Sequence, residues 1–262
     1  MQNGDFSSVT YTGPGTAVGH GLTTLFGQFG SGTPSSGQVL AVTSWSTGGY
    51  NFVFAPGTAD SGTKAGGANT GAPKEAVGEA TITVGGKTYG NTYLWGPNNG
   101  SSNGLSGPPG GGNFLALDGA YEQDAVEQTI TGLTVNQTYA LTFYWAGAQQ
   151  ESYTGITTDK LTVKLGSATG VTSTITVPSE GFSGWMQQTF YFQANSTSEV
   201  LSFLAAGTPN GEPPFALIAN VDLEVVPDSS NWMIFGAFGV GCVVFEVARR
   251  RRRSALASAA LE

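Results

Sequence analysis

The sequence predicts an all-β fold, a two-sheet jelly-roll sandwich, followed by a single C-terminal hydrophobic helix. Three observations predict it. Apolar residues recur at every second position in several segments, as a sheet with one buried face requires. Glycine is abundant, at 40 of 262 residues, while charged residues make up only 11%, against roughly 25% in an average soluble domain. One apolar stretch near the C-terminus ends in an unbroken arginine block, Arg249 to Arg253.

The alternation is cleanest in the second half. Leu161, Val163 and Leu165 alternate with Thr162 and Lys164. Phe190 and Phe192 alternate with Thr189, Tyr191 and Gln193, and Leu217, Ala219, Val221, Leu223 and Val225 form the longest such run. Further strands are expected at Val39–Val42, Tyr50–Phe54, Thr81–Val84, Thr92–Trp95, Phe114–Leu117, Ala125–Ile130, Tyr139–Trp145, Val171–Val177 and Glu199–Ala205. Val84-Gly85-Gly86-Lys87 reads as a two-residue hairpin turn. Many short strands with no amphipathic helix before residue 231 favour two sheets closed as a jelly roll. Two low-complexity segments, 56–76 and 96–112, are expected as mobile surface loops, because they offer few side chains that could pack.

Charge is uneven along the chain. Residues 1–231 hold 5 Lys and 16 Asp plus Glu, so this body carries 5 − 16 = −11, while the arginine block supplies half of the ten basic residues. A body so poor in lysine and arginine is not built to bind nucleic acid. The single cysteine, Cys242, excludes an intrachain disulfide, and with the single histidine, His20, it excludes a Cys/His zinc set. His20 sits between glycines in a loop with no nucleophile motif beside it, so no nucleophilic catalysis is expected. Asp118, Glu122, Asp124 and Glu127 are the one carboxylate group dense enough for a glycosidase, which needs two carboxyls roughly 5–9.5 Å apart. Their spacing reads more simply as a solvated acidic turn.

Sugar binding calls for aromatic faces beside amides and carboxylates that bond hydroxyl groups. Asp118, Tyr121, Trp145, Gln149 and Gln150 offer that set and are the candidate glycan-binding residues. Trp145 lies in an apolar strand, and with Trp45 and Trp185 it also reads as a core anchor. No metal ligand set, cofactor or catalytic residue is expected.

The chain changes character at residue 226. Val226, Pro227, Asp228, Ser229 and Ser230 precede an apolar helix at 232–248 that includes Trp232, Phe235, Phe238 and Phe245; Arg249, Arg250, Arg251, Arg252 and Arg253 follow, then a short tail, 254–262. Seventeen helical residues rise about 25 Å, just short of the roughly 30 Å of a bilayer core. The arginines would stay on the cytoplasmic side.

This order of features resembles the PEP-CTERM sorting signal, and Val226–Ser230 looks like its VPDSG variant with Ser230 in place of glycine. The resemblance implies cleavage near Pro227–Ser230 by an exosortase, in a Gram-negative envelope, from a precursor held in the inner membrane. Residues 1–6 lack a charged and apolar leader, so the leader is expected outside this sequence. Residues 1–225 resemble bacterial exported domains that carry such tails, through Ser44–Asp60, Leu117–Tyr121, Gln128–Tyr139, Phe143–Gln150, Gly181–Met186 and Gly207–Leu217. More distantly, Asn3-Gly4-Asp5-Phe6 and Asn220-Val221 resemble galactose-binding-like jelly rolls. Those folds often hold a structural calcium between an early Glu and a late Asp; Ser7 and Ala219 stand at those places here. The expectation is therefore a non-catalytic protein of the cell surface or extracellular matrix. The alternatives are a carbohydrate-binding module for exopolysaccharide and a glycoside hydrolase using the acidic group.

Overall fold

A computed structural model describes residues 1–11, 27–29, 40–61, 63–65, 72–74, 82–84, 87–89 and 92–227. These residues form strands and connections and contain no helix. In chain order the strands are β1 (Val9–Tyr11), β2 (Gly27–Phe29), β3 (Leu40–Val42), β4 (Asn51–Phe54), β5 (Thr63–Ala65), β6 (Ala72–Lys74), β7 (Ile82–Val84), β8 (Lys87–Tyr89) and β9 (Phe114–Asp118). They continue with β10 (Val126–Thr131), β11 (Thr138–Gln149), β12 (Thr157–Leu165), β13 (Ala168–Val171), β14 (Ile175–Val177), β15 (Met186–Gln193), β16 (Ser198–Thr208) and β17 (Pro214–Val225). The chain divides into two units, Met1–Glu224 and Val225–Glu262; of the second, only residues 225–227 are described.

Two sheets carry the fold. One runs β1-β3-β2-β4-β9-β17-β11-β15 and the other β10-β16-β12-β13, with β14 also paired to β12. β2 and β3 pair in parallel, while β11 with β15, β12 with β16 and β17 with β9 pair antiparallel. Separate two-stranded pairs join β5 to β6 and β7 to β8. Val84 stands opposite Lys87 in the second pair, and Gly85 and Gly86, expected as its turn, lie outside the described residues.

Strand β12 shows why the sheets face each other. Its residues 157, 159, 161, 163 and 165 are all buried while the residues between them are not, the period of two that a pleated strand imposes. The inward residues Leu161, Val163 and Leu165 meet Leu141, Phe143 and Trp145 of β11 in one core between the sheets. Phe143 and Phe203, from opposite sheets, touch edge to face at 5.1 Å. Each fully buried side chain of this size stabilises the fold by roughly 1.5–3 kcal/mol.

A second core lies on the other face of the eight-stranded sheet. Phe52, Phe54, Phe114, Phe215, Leu217 and Ala219 pack there with Tyr93 and Leu94. The simple alternation expected for Leu217–Val225 therefore fails at its start, where Phe215 to Ala219 are all buried. At Asn220 the backbone turns to φ 48. Ile218 and Val221 both face the inner core, three residues apart rather than two, as a β-bulge produces.

The segment 96–112 differs from the mobile loop expected of it. It is fastened over the outer core by its own amides. Asn99 Nδ2 donates to Leu94 O at 2.8 Å, and Asn103 Nδ2 donates to Trp95 O at 2.7 Å and to Glu180 O at 2.9 Å. Part of 56–76 is held as well: the Asp60 carboxylate accepts from the Asn98 backbone N–H and side-chain amide. Gly110, Gly111 and Gly112 take φ of 84, 80 and 82, a left-handed path that only glycine follows without cost. Thr92–Trp95, expected as a strand, makes one isolated bridge, Leu94 to Gln150. The strand expected at Val171–Val177 breaks between Val171 and Ile175.

Strand β17 stops at Val225, two residues before Pro227, as expected where proline offers no ladder donor. His20, Asp228, Ser229, Ser230, the apolar stretch 232–248 and Arg249–Arg253 lie outside the described residues. Among the described residues no helix is long and apolar enough to cross a membrane.

Candidate functional site: an acidic, tyrosine-bearing end of the sandwich

Four of the five candidate glycan-binding residues gather at one end of the sandwich, where β9, β11 and β17 meet their connecting loops. Asp118 ends β9 and is only 2% exposed. Its backbone N–H donates to Asn51 Oδ1 at 3.0 Å. Its carboxylate accepts the backbone N–H groups of Ala120 at 3.0 Å, of Tyr121 at 3.1 Å and of Glu122. A side chain that caps the turn following it is the usual task of aspartate. The turn presents Tyr121 to solvent at 65% exposure.

Tyr50 stands behind this turn. Its backbone N–H donates to Glu122 O at 3.0 Å, and its ring meets Tyr121 edge to face at 6.2 Å. The hydroxyl shares a hydrogen bond with Thr92. Burial pushes the hydroxyl up to about 12, against the lowering effect of Thr92, and the Asp118, Tyr153 and Glu122 charges add to the rise. Tyr153 is raised too, by burial and then by Glu212. Tyr50 thus joins the Asp118 turn to Thr92.

Gln149 ends β11 and Gln150 begins the loop after it. Gln149 is fully buried; its Nε2 donates to Gly155 O at 3.2 Å and its Oε1 accepts from the Glu180 N–H at 2.6 Å. Gln149 therefore braces two loops rather than offering its amide to a ligand. The Gln150 backbone N–H donates to Pro213 O at 3.2 Å, and its buried Nε2 has no partner. Trp145 stands apart from the other four: it is 3% exposed inside the inner core, so its ring cannot stack on a sugar. Trp45 is likewise buried in that core, and Trp185 packs on Phe114 and Phe182.

The acidic group divides. Asp124 accepts the Gly48 N–H at 2.8 Å, so Asp118 and Asp124 both hold backbone in place. Glu127 is instead exposed on β10, where it lines a groove of about 560 Å³ together with Trp45, Gln128 and Thr129. The calcium place implied by galactose-binding-like folds does not fit a cation here. Ser7 spends its hydroxyl on Asp5 at 3.0 Å, Ala219 is buried in the outer core, and the Asn113 amide donates to Phe6 O at 2.9 Å close by.

Sequence reasoning missed Tyr50, Tyr153 and Asp159. Asp159 is fully buried, neither of its carboxylate oxygens has a partner, and burial followed by the Asp118 charge raises its pKa well above the ordinary value. Its phase on β12 was the available signal, since it shares the odd numbering of Leu161 and Val163.

No protein-family model matches the chain, and no curated protein matches it. Solved structures similar to it include a family 61 carbohydrate-binding module in complex with β-1,4-galactotriose, with TM-score 0.31 and 12% identity over 45% of this chain and 74% of that one. A family 28 module specific for non-crystalline cellulose scores 0.30 at 13% identity, over 50% of this chain and 86% of that one. The N-terminal cellulose-binding domain of a Cellulomonas fimi β-1,4-glucanase scores 0.29 at 16% identity, over 44% and 79%. The ligand of each belongs to that protein.

Proposed function

We propose that residues 1–225 form a non-catalytic polysaccharide-binding jelly roll, exported and sorted through an exosortase-type tail, that takes sugar at the Tyr121 end. The single observation that carries the binding reading is Tyr121: a tyrosine 65% exposed, set on a turn that Asp118 fixes by hydrogen bonds. A rigid exposed ring gives an apolar sugar face a platform at little cost in side-chain entropy. Glu122 and Glu212, both partly exposed, supply acceptors for hydroxyl groups within the same loops. A hydrolase would need a carboxyl free to exchange its proton beside the bond it cleaves, whereas Asp118 and Asp124 are engaged with backbone N–H groups.

Retention of the full chain on immobilised neutral and acidic polysaccharides tests the binding reading. Salt-resistant retention on at least one is expected. Folded protein retained on none overturns it and leaves the surface-protein role alone. The tail reading is tested separately, by mass spectrometry of the chain expressed behind a secretory leader in a host with an exosortase. Loss of the arginine block is expected; an intact C-terminus through Glu262 contradicts it.

A further inference from the structure

We propose that the end of the inner core beneath the Asp118 turn holds a divalent, oxygen-seeking cation of the calcium class, anchored by the Asp159 carboxylate with Thr157 Oγ1 beside it. Asp159 and Thr157 lie two residues apart on the buried face of β12. Both are fully buried, and both Asp159 oxygens and Thr157 Oγ1 lack any partner. Three bare oxygens on one buried strand face are costly, because an unpaired buried carboxylate forfeits several kcal/mol of hydration.

Two glycines face the Asp159 oxygens. Asp159 Oδ1 lies 3.2 Å from where a Cβ on Gly119 would sit, and Oδ2 lies 3.0 Å from the same point on Gly147. A side chain at either place would crowd the carboxylate, and at Gly147 it would also meet Val177 Cγ2 and Ile175 Cδ1. Asp118 adds a second negative charge close by, and Lys160, next on β12, belongs to the strand's opposite face. A proton on Asp159 would cancel its charge but would leave the new O–H, the second oxygen and the Thr157 hydroxyl without partners. A cation gives the Asp159 oxygens the partner they lack, and the Asp159 charge with the nearby charge of Asp118, whose own oxygens are held by the turn, matches a charge of two.

Calcium accepts six to eight oxygens, many of them neutral carbonyls, hydroxyls and waters, at about 2.3–2.6 Å. A site of that kind needs few carboxylates; among the described residues no three His, Cys, Asp or Glu side chains are arranged around one point. Gln150 Nε2, buried and without a partner, belongs to the loop that follows β11, and an amide can present its oxygen by turning over. The site is separate from the Ser7 and Ala219 positions, and it does not depend on sugar binding.

Thermal unfolding and titration calorimetry of the full chain, stripped with EDTA and then given CaCl2, test the proposal. Calcium is expected to raise Tm by several degrees and to bind with measurable heat, because a ligand of the folded state alone stabilises it. Asp159→Asn, which keeps the shape, is expected to abolish both effects. No shift and no heat with wild type overturns the proposal, as does an undiminished shift in Asp159→Asn. Should Asp159→Asn not fold, Thr157→Val decides: weakened calcium affinity supports the site, and unchanged affinity overturns it.

Discussion

The Asp118 carboxylate accepts the Tyr121 backbone N–H through both of its oxygens, each at 3.1 Å. The same group accepts from Ala120 and Glu122, so one buried side chain fixes the whole turn that presents the exposed ring. Asp118→Ala leaves three N–H groups to find other partners. It is expected to lower stability by at least about 1.5–3 kcal/mol, the worth of one hydrogen bond to a charged group. Urea unfolding of Asp118→Ala against Asp118→Asn checks this, with the amide variant expected to lose less because it keeps one acceptor oxygen.

Trp145 is a core residue, and its replacement should read as one. Trp145→Phe is expected to cost about 1–3 kcal/mol through the space left in the inner core. Polysaccharide affinity measured below the unfolding transition is expected to stay unchanged. A selective loss of affinity in a stably folded Trp145→Phe would show that the ring reaches a ligand after all.

Asn103 ties the cover of the outer core to Trp95 O and Glu180 O, and its Oδ1 accepts the Leu105 N–H at 2.9 Å. Asn103→Ala is expected to release the cover before the sheets. Faster amide hydrogen exchange across residues 96–106, with β11 and β12 still protected, is the expected signature. Equal protection in variant and wild type would mean that the cover is held by packing alone.

Tyr50 gives a dependence on alkaline pH. Its hydroxyl is held up to about 12 in the folded chain, by burial and by Asp118, Tyr153 and Glu122, against about 10 when unfolded. The folded state therefore keeps the proton longer. The stability this contributes is complete below about pH 10 and is lost as pH rises toward the folded value. Urea midpoints from pH 8 to pH 12 should fall more steeply for wild type than for Tyr50→Phe. Parallel curves would show that the Tyr50 hydroxyl ionises freely.

The two sheets were legible where a strand buries one face. Leu161, Val163 and Leu165, or Val126 and Ile130, announce their inward side by spacing alone. The outer core was not legible, because Phe52, Phe54, Phe215 and Leu217 share their strands with inward residues, and a strand buried on both faces has no alternation to read. The cover was misread for a related reason. Its glycines and prolines suggest mobility, while its asparagines find partners such as Glu180 O, 77 residues away. At the candidate site, Asp118 and Tyr121 are three residues apart and their relationship is local. Tyr50 joins them only through the pairing of β4 with β9, and Asp159 only through the facing of the two sheets. Neither relationship exists within a short window of sequence.

The most direct test compares polysaccharide affinity of the wild-type chain with Tyr121→Ala and Tyr191→Ala, by affinity electrophoresis at equal fold content. Tyr191 is equally open, at 68% exposure, on β15, and so serves as the control for an exposed tyrosine outside the site. Tyr121→Ala is expected to lose at least tenfold in affinity while Tyr191→Ala matches wild type. Loss in Tyr191→Ala with Tyr121→Ala unaffected would move binding to the open face of β11 and β15, and would contradict the assignment of the Asp118 turn as the sugar-binding end.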